Sequence, residues 1–169
     1  MQLVNPTVEY KQHYFQALDE GTDEAGDTHL NKPELEQPFE EFVQLLNDHA
    51  KGENLPPGYV PESIFWLVDK NEFIGRVSIR HKLTEKLTKV GGHIGYYIKP
   101  SKRRMGYGKK ILELSLAEAK KIGLTKVLVT CDEDNIGSQK IIEANGGVLQ
   151  DVIEVDENKV RTRRYWIML

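Results

Sequence analysis

The apolar residues of this chain keep a helical period as far as Gly52, switch to alternation from Ile64, and change period again before the end. No all-helical or all-strand architecture accommodates such switching, so the pattern predicts an α/β fold. Tyr10, Tyr14, Ala17 and Leu18 share one helical face, with Thr7 as N-cap and Gly21 as stop. Phe39, Phe42, Val43 and Leu46 share another, ended by Gly52 and the turn Pro56-Pro57-Gly58. Between the two, residues 21–33 are rich in Gly, Asp, Thr and Asn and predict a loop closed by Pro33.

Strands come next. Ile64 to Val68 is a compact apolar run, and Ile74, Val77 and Ile79 alternate with Arg76, Ser78 and Arg80, so a hairpin turning at Asp69-Lys70-Asn71 is expected. A third strand, Gly92 to Ile98, stops at Pro100, which cannot donate to a ladder. From Gly108 to Ile122 the apolar residues fall on one arc and the lysines on the other, which predicts a helix packed on a sheet. Val127 to Val129 reads as a strand and Ile136 to Ala144 as a short helix ended by Asn145-Gly146-Gly147. Val148 to Val155 and Val160 to Leu169 read as a closing hairpin around Asp156-Glu157-Asn158. No repeat or linker interrupts this order, and one domain over 1–169 is expected.

Composition narrows the function classes. The formal net charge is -3, so no general excess of positive charge favours nucleic acid or an anionic membrane as partner. Cys131 is the only cysteine, which excludes an internal disulfide, and the five histidines are scattered away from any metal-ligand spacing, so no metal is expected. The opening residues carry neither the basic region nor the apolar run of a signal peptide, and no stretch approaches the roughly 18 apolar residues of a spanning helix, so a cytoplasmic protein is expected.

The segment from Ile98 to Lys110 points to a local anion site. A helix start leaves backbone N–H groups without partners and carries the positive end of the macrodipole. Gly106 and Gly108 leave room for a diphosphate to reach those amides, and Lys102, Arg103, Arg104, Lys109 and Lys110 surround them. A Walker loop is excluded because no hydroxyl residue follows Gly108-Lys109, and a dinucleotide fingerprint because position 111 is Ile111.

The pattern Ile98-x-Pro100-x-x-Arg103-x-x-Gly106-x-Gly108 resembles the cofactor motif of the GNAT family of N-acetyltransferases. Asn135-Ile136-Gly137-Ser138, followed by a helix and Gly146-Gly147, resembles that family's next motif, and the likeness covers roughly residues 60 to 169. It implies a mixed, centrally splayed sheet of six to seven strands with helices on both faces. It further implies acetyl-CoA as cofactor, its pantetheine arm lying in the splay beside the main chain of Tyr97 and Ile98. The pyrophosphate would rest on the amides from Arg104 to Lys109, past Arg103, Met105, Gly106, Tyr107 and Gly108, with Asn135 and Ser138 across the arm.

For catalysis the sequence departs from the family. The helix position at which many members carry a proton-donating Tyr is Ile142, and no Glu lies on the fourth or fifth strand. His93, whose ordinary pKa lies in the working range, is the expected base, with Tyr96 as a further candidate acid and Cys131 as a candidate acid or carrier of an acetyl-thiol intermediate. Direct attack with water carrying the proton needs none of them. The reading is therefore an acetyl-CoA-dependent transferase acting on the amine of a small molecule or a protein, with a non-catalytic acyl-CoA-binding module as the alternative. Asp23, Glu24, Asp27 and Glu34 are placed by this reading on one wall of the acceptor site, and a homodimer is left open.

Overall fold

The structure is a computed structural model and describes residues 1–21, 38–155 and 160–169. Its strands are β1 (Gln2–Val4), β2 (Glu62–Asp69), β3 (Glu72–Arg80), β4 (Ile94–Ile98), β5 (Lys126–Asp132), β6 (Val148–Val155) and β7 (Val160–Met168). Its helices are α1 (Lys11–Gly21), α2 (Phe39–His49), α3 (Glu85–Lys89), α4 (Tyr107–Lys121) and α5 (Ile136–Glu143). The strands form two antiparallel sheets, ordered β1-β2-β3-β4 and β5-β7-β6. The two meet between β4 and β5, where no ladder is made. The expected central splay is thus the boundary between two sheets, each antiparallel within itself.

Alternation along β2 sends Ile64, Trp66 and Val68 to one face and Leu67 to the other. On the first face α1 and α2 build an aromatic core, with the Tyr14 ring stacked on Trp66 at 4.8 Å and set edge-on to Phe73 at 5.2 Å. Such pairs add about 0.5–1.5 kcal/mol each beyond burial of their area. On the second face Ile111, Leu112 and Ala119 of α4 and Ile142 of α5 pack against residues of both sheets, including Val77, Val129 and Ile167. Helices on both faces hold the sheets together although their central edges are unzipped.

The turn between β2 and β3 has Lys70 and Asn71 at φ 48° and 64°, the left-handed pair that a tight hairpin requires. Two short elements have no counterpart in the sequence reading. One is β1, whose three residues are too few to show a period; the other is α3, a five-residue helix whose cap is the Thr84 side chain accepting from the Leu87 N–H at 3.2 Å. Residues 92 and 93 are not strand as expected, because Gly91 and Gly92 turn through φ 97° and 60° and delay β4 to Ile94. Thr7 precedes a 3₁₀ turn, Val8–Tyr10, and makes no side-chain cap. The rest of the 21–33 loop, its acidic residues with Glu34, and the turn 156–158 lie outside the described residues. Among the described residues no helix is long and apolar enough to cross a membrane.

Candidate functional site

After β4 the chain passes through a 3₁₀ turn, Pro100–Lys102, and enters α4 at Gly106. Lys99 is buried, with its Nζ 2.7 Å from Glu72, and Lys102 reaches the other oxygen of that carboxylate at 2.7 Å. These bonds, that from Lys102 foremost, hold the Glu72 carboxyl below the usual range. Glu20 of α1 accepts from the Ser101 N–H at 3.0 Å, which ties the first helix to the same turn. Lys110 pairs with Glu113 at 2.7 Å. Lys102 and Lys110 are therefore neutralised where they stand, while Arg104 and Lys109 are exposed and make no ion pair among the described residues.

Arg103 has a different task. Its Nε donates to the Ile98 carbonyl at 3.0 Å and its guanidinium lies 5.8 Å from the Tyr97 ring centre, so it fastens the loop to the end of β4. Arg104 and Gly106 take left-handed φ values of 59° and 85°. A Cβ at Gly106 would meet nothing within 4 Å, so the space over its backbone is open. The first N–H of α4 with a carbonyl one turn back is that of Lys110, bonded to Gly106 at 3.2 Å, so the amides of Tyr107, Gly108 and Lys109 have no helical acceptor. Tyr107 donates its hydroxyl to Asp69 at 2.9 Å, and this bond, with the chain's amino terminus 3.3 Å from the same carboxylate, depresses the Asp69 pKa and pins the helix start to the β2–β3 turn. Met105 is exposed at the loop tip. Open backbone, free amides and two unneutralised cations fit a diphosphate.

Gly108 meets a different constraint from the one expected. A Cβ there would lie 2.5 Å from Cδ1 of Ile141 on α5. Its lack of a side chain serves α4–α5 packing as well as access to the amides.

The β3–β4 register decides which main-chain groups face the gap. Arg80 N–H donates to the His93 carbonyl at 2.7 Å and Lys99 N–H to the Ile74 carbonyl at 3.1 Å. Bonded and non-bonded pairs alternate along an antiparallel ladder, so Gly95 and Tyr97 also turn their main chain toward β3. Ile94, Tyr96 and Ile98 turn theirs toward β5. The main chain of Ile98 therefore faces the gap, although its carbonyl is taken by Arg103, while the main chain of Tyr97 faces β3. Tyr97 instead lies buried on the α1 face, its hydroxyl 3.4 Å from the Ala17 carbonyl. Tyr96 is the residue the sequence reading missed as a main-chain contact; the alternation of bonded pairs reveals it once the register is known.

Across the gap, Asn135 caps α5 by accepting from the Ser138 N–H at 3.0 Å. Ser138 is half-buried, and the Tyr96 hydroxyl lies beside it and Cys131. That hydroxyl is sealed from solvent, and burial pushes its pKa to about 12 although the Ser138 side chain beside it acts in the opposite direction. Burial likewise pushes the Cys131 thiol to about 11, so it stays protonated near neutrality and is a poor nucleophile. Ile142 is fully buried in the α4-side core and offers no proton.

His93 lies at the closed end of the gap, 7% exposed, and its Nδ1 accepts from the Leu128 N–H at 2.9 Å. Burial, and then Arg80, hold its pKa below the usual value. A neutral imidazole has one basic nitrogen, and here that lone pair is spent on the backbone, which leaves no acceptor for a substrate proton. Beyond the C-terminal end of β5 an open cavity of about 510 Å³ is lined by Asp132, Glu133, Asp134 and Arg161. Among the described residues no group of histidine, cysteine and carboxylate side chains could hold a metal ion.

Two sheets part beside a helix start whose first amides have no helical acceptor, in an α/β protein. The family described as acetyltransferase (GNAT) domain matches residues 8–148, and the chain belongs to that family. The fold recurs in an acetyl transferase from Salmonella typhimurium that modifies the N-terminal serine of 50S ribosomal subunit protein L7/L12, at 15% identity and TM-score 0.67 over 99% of this chain and 94% of that one. It recurs in RimL, the ribosomal L7/L12 alpha-N-protein acetyltransferase, solved with coenzyme A, at 16% identity and TM-score 0.68 over 99% and 92%. It recurs too in MccE, the microcin C7 self-immunity acetyltransferase solved with acetyl-CoA and AMP, at 17% identity and TM-score 0.63 over 99% and 91%. Curated protein sequences give no match.

Proposed function

We propose that the chain transfers the acetyl group of acetyl-CoA to a primary amine, with donor and amine bound together where β4 and β5 part. The α4 start carries this reading: free amides, an open left-handed Gly106, and exposed Arg104 and Lys109 stand together at the mouth of the split. The amides from Met105 to Lys109 would hold the pyrophosphate, helped by the two cations. The main-chain groups of Ile94 and Tyr96 and the N–H of Ile98 would pair with the pantetheine arm, and Ser138 would line its other side. Bound there, acetyl-CoA supplies a thioester, an acyl group already activated toward an amine.

With Ile142 in the core and His93 engaged, Tyr96 is the side chain of this chain best suited to donate a hydrogen bond to a departing thiolate. Its hydroxyl is buried beside Ser138 and Cys131. The exposed carboxylates of Asp132 and Asp134 favour approach of a cationic amine. That two structural relatives act on a protein α-amine, by their descriptions, puts such amines first among acceptors to try.

The test is release of CoA thiol from acetyl-CoA in the presence of peptides with free N-termini, polyamines and amino acids, each as a separate acceptor. Amine-dependent release is the expected result. Saturable CoA binding without release for any acceptor would favour the non-catalytic acyl-CoA-binding alternative.

A further inference from the structure

Where the sheets meet, His93 bonds across the boundary twice. Its N–H donates to the Leu128 carbonyl at 2.7 Å, and its Nδ1 accepts from the Leu128 N–H at 2.9 Å, so one residue of β5 is held by both the backbone and the side chain of one residue ahead of β4. The side chain is needed because the His93 carbonyl is already committed to the Arg80 N–H on β3. The imidazole nitrogen stands where a carbonyl of a continued ladder would accept.

The surroundings are shaped for this contact. A Cβ at Gly92 would overlap the Leu128 carbonyl oxygen, and at φ 60° any other residue there would be strained as well. The Gly91 N–H donates to Thr130 Oγ1 at 2.8 Å. Arg80 Nη1 donates to the carbonyls of Gly91 and Gly92 at 3.1 and 3.2 Å, which fixes the turn that delivers His93. The outer face of the ring tilts on Trp166 at 6.2 Å. Beyond this joint β4 makes no ladder with β5 among the described residues, and the gap opens.

We propose that His93 is a positioning residue: a side-chain rung that fixes where β4 and β5 part and so sets the width of the gap given above to the pantetheine arm. This rests on the proposed function for what fills the gap, but the joint itself can be read without any ligand.

Two substitutions separate a rung from a base. Asn carries its Oδ1 at the same bond position as Nδ1 and can accept from Leu128, but it cannot take up a proton near neutrality; Phe keeps the ring and removes the acceptor. His93→Asn is expected to keep CoA affinity and turnover at saturating acetyl-CoA within about threefold of the parent. His93→Phe is expected to weaken CoA binding about tenfold or more, with turnover at saturation changed far less, and to speed hydrogen exchange of the Leu128 amide in the ligand-free protein. If the Phe variant does not fold, His93→Gln, whose acceptor sits one bond further out, takes its place. Loss of about a hundredfold in turnover by His93→Asn at unchanged CoA affinity would overturn the proposal in favour of proton transfer. Unchanged Leu128 exchange in the variant lacking the acceptor would also overturn it. A parent protein that binds no CoA would instead sink the functional reading and leave the exchange result to decide the joint.

Discussion

A buried hydroxyl adds only about 0.5–1.5 kcal/mol of net stability even when hydrogen-bonded. The Tyr96 hydroxyl is buried at the edge of the gap beside Ser138 and Cys131. Tyr96→Phe is therefore expected to change stability by about 1 kcal/mol at most, read from urea melts, while lowering turnover about 10-fold or more at unchanged CoA affinity. Equal turnover in the two proteins would remove Tyr96 from the chemistry. The sequence put Tyr96 forward only as an acid, because its main-chain direction depends on the β3–β4 register, which no local pattern encodes. His93 shows the converse. Its type and its place near the gap were legible, but the Leu128 N–H that occupies its nitrogen comes from 35 residues further on. Two histidines, buried His93 and half-buried His81, have folded pKa values lowered chiefly by desolvation, with Arg80 adding to the first and Glu62 opposing in the second. The unfolded chain then binds more protons than the folded one below about pH 6.5, so stability is full above that value and falls as pH drops toward the folded values. Denaturant melts between pH 5 and 7 should show this loss, and His93→Asn should reduce it.

Among the elements, α4 carries the proposed donor site at its start and half of one core along its length. The sequence predicts its apolar arc and the glycines before it, because helical period and left-handed turns are local properties. That Gly108 also makes room for Ile141 on α5 is a packing fact and was not legible. Gly108→Ala is expected to lower stability by about 1–3 kcal/mol, and adding Ile141→Val, which removes the colliding methyl, should recover most of it. A double-mutant cycle by thermal melts measures this coupling, and additive losses would place the strain elsewhere. The short elements β1 and α3 escaped the sequence reading because three and five residues do not complete a pattern. β1 exists because β2 offers it an edge, and Met1 because Asp69 holds its amino group.

At the scale of the whole molecule, two antiparallel sheets are locked by helices on both faces and joined centrally where His93 and Gly91 bond to β5. A ligand spanning the gap from α4 to β5 should hold both sheets. CoA at about 100 times its dissociation constant is expected to stabilise the fold by about 2.7 kcal/mol, a rise of roughly 5–10 °C in melting temperature. Pantetheine, which lacks the pyrophosphate, should give a much smaller rise at the same concentration, and equal shifts would move the affinity away from the α4 amides. Periodicity, turn residues and the glycine-and-cation run before α4 are properties of neighbouring residues, and through them the sequence by itself determined the element order, the family resemblance and the place of the proposed anion cradle. Which lysines are neutralised, which strand edge stays open, and whether His93 holds a proton or a backbone amide were decided only by the tertiary structure. Each depends on a partner that the fold brings from a distant part of the chain.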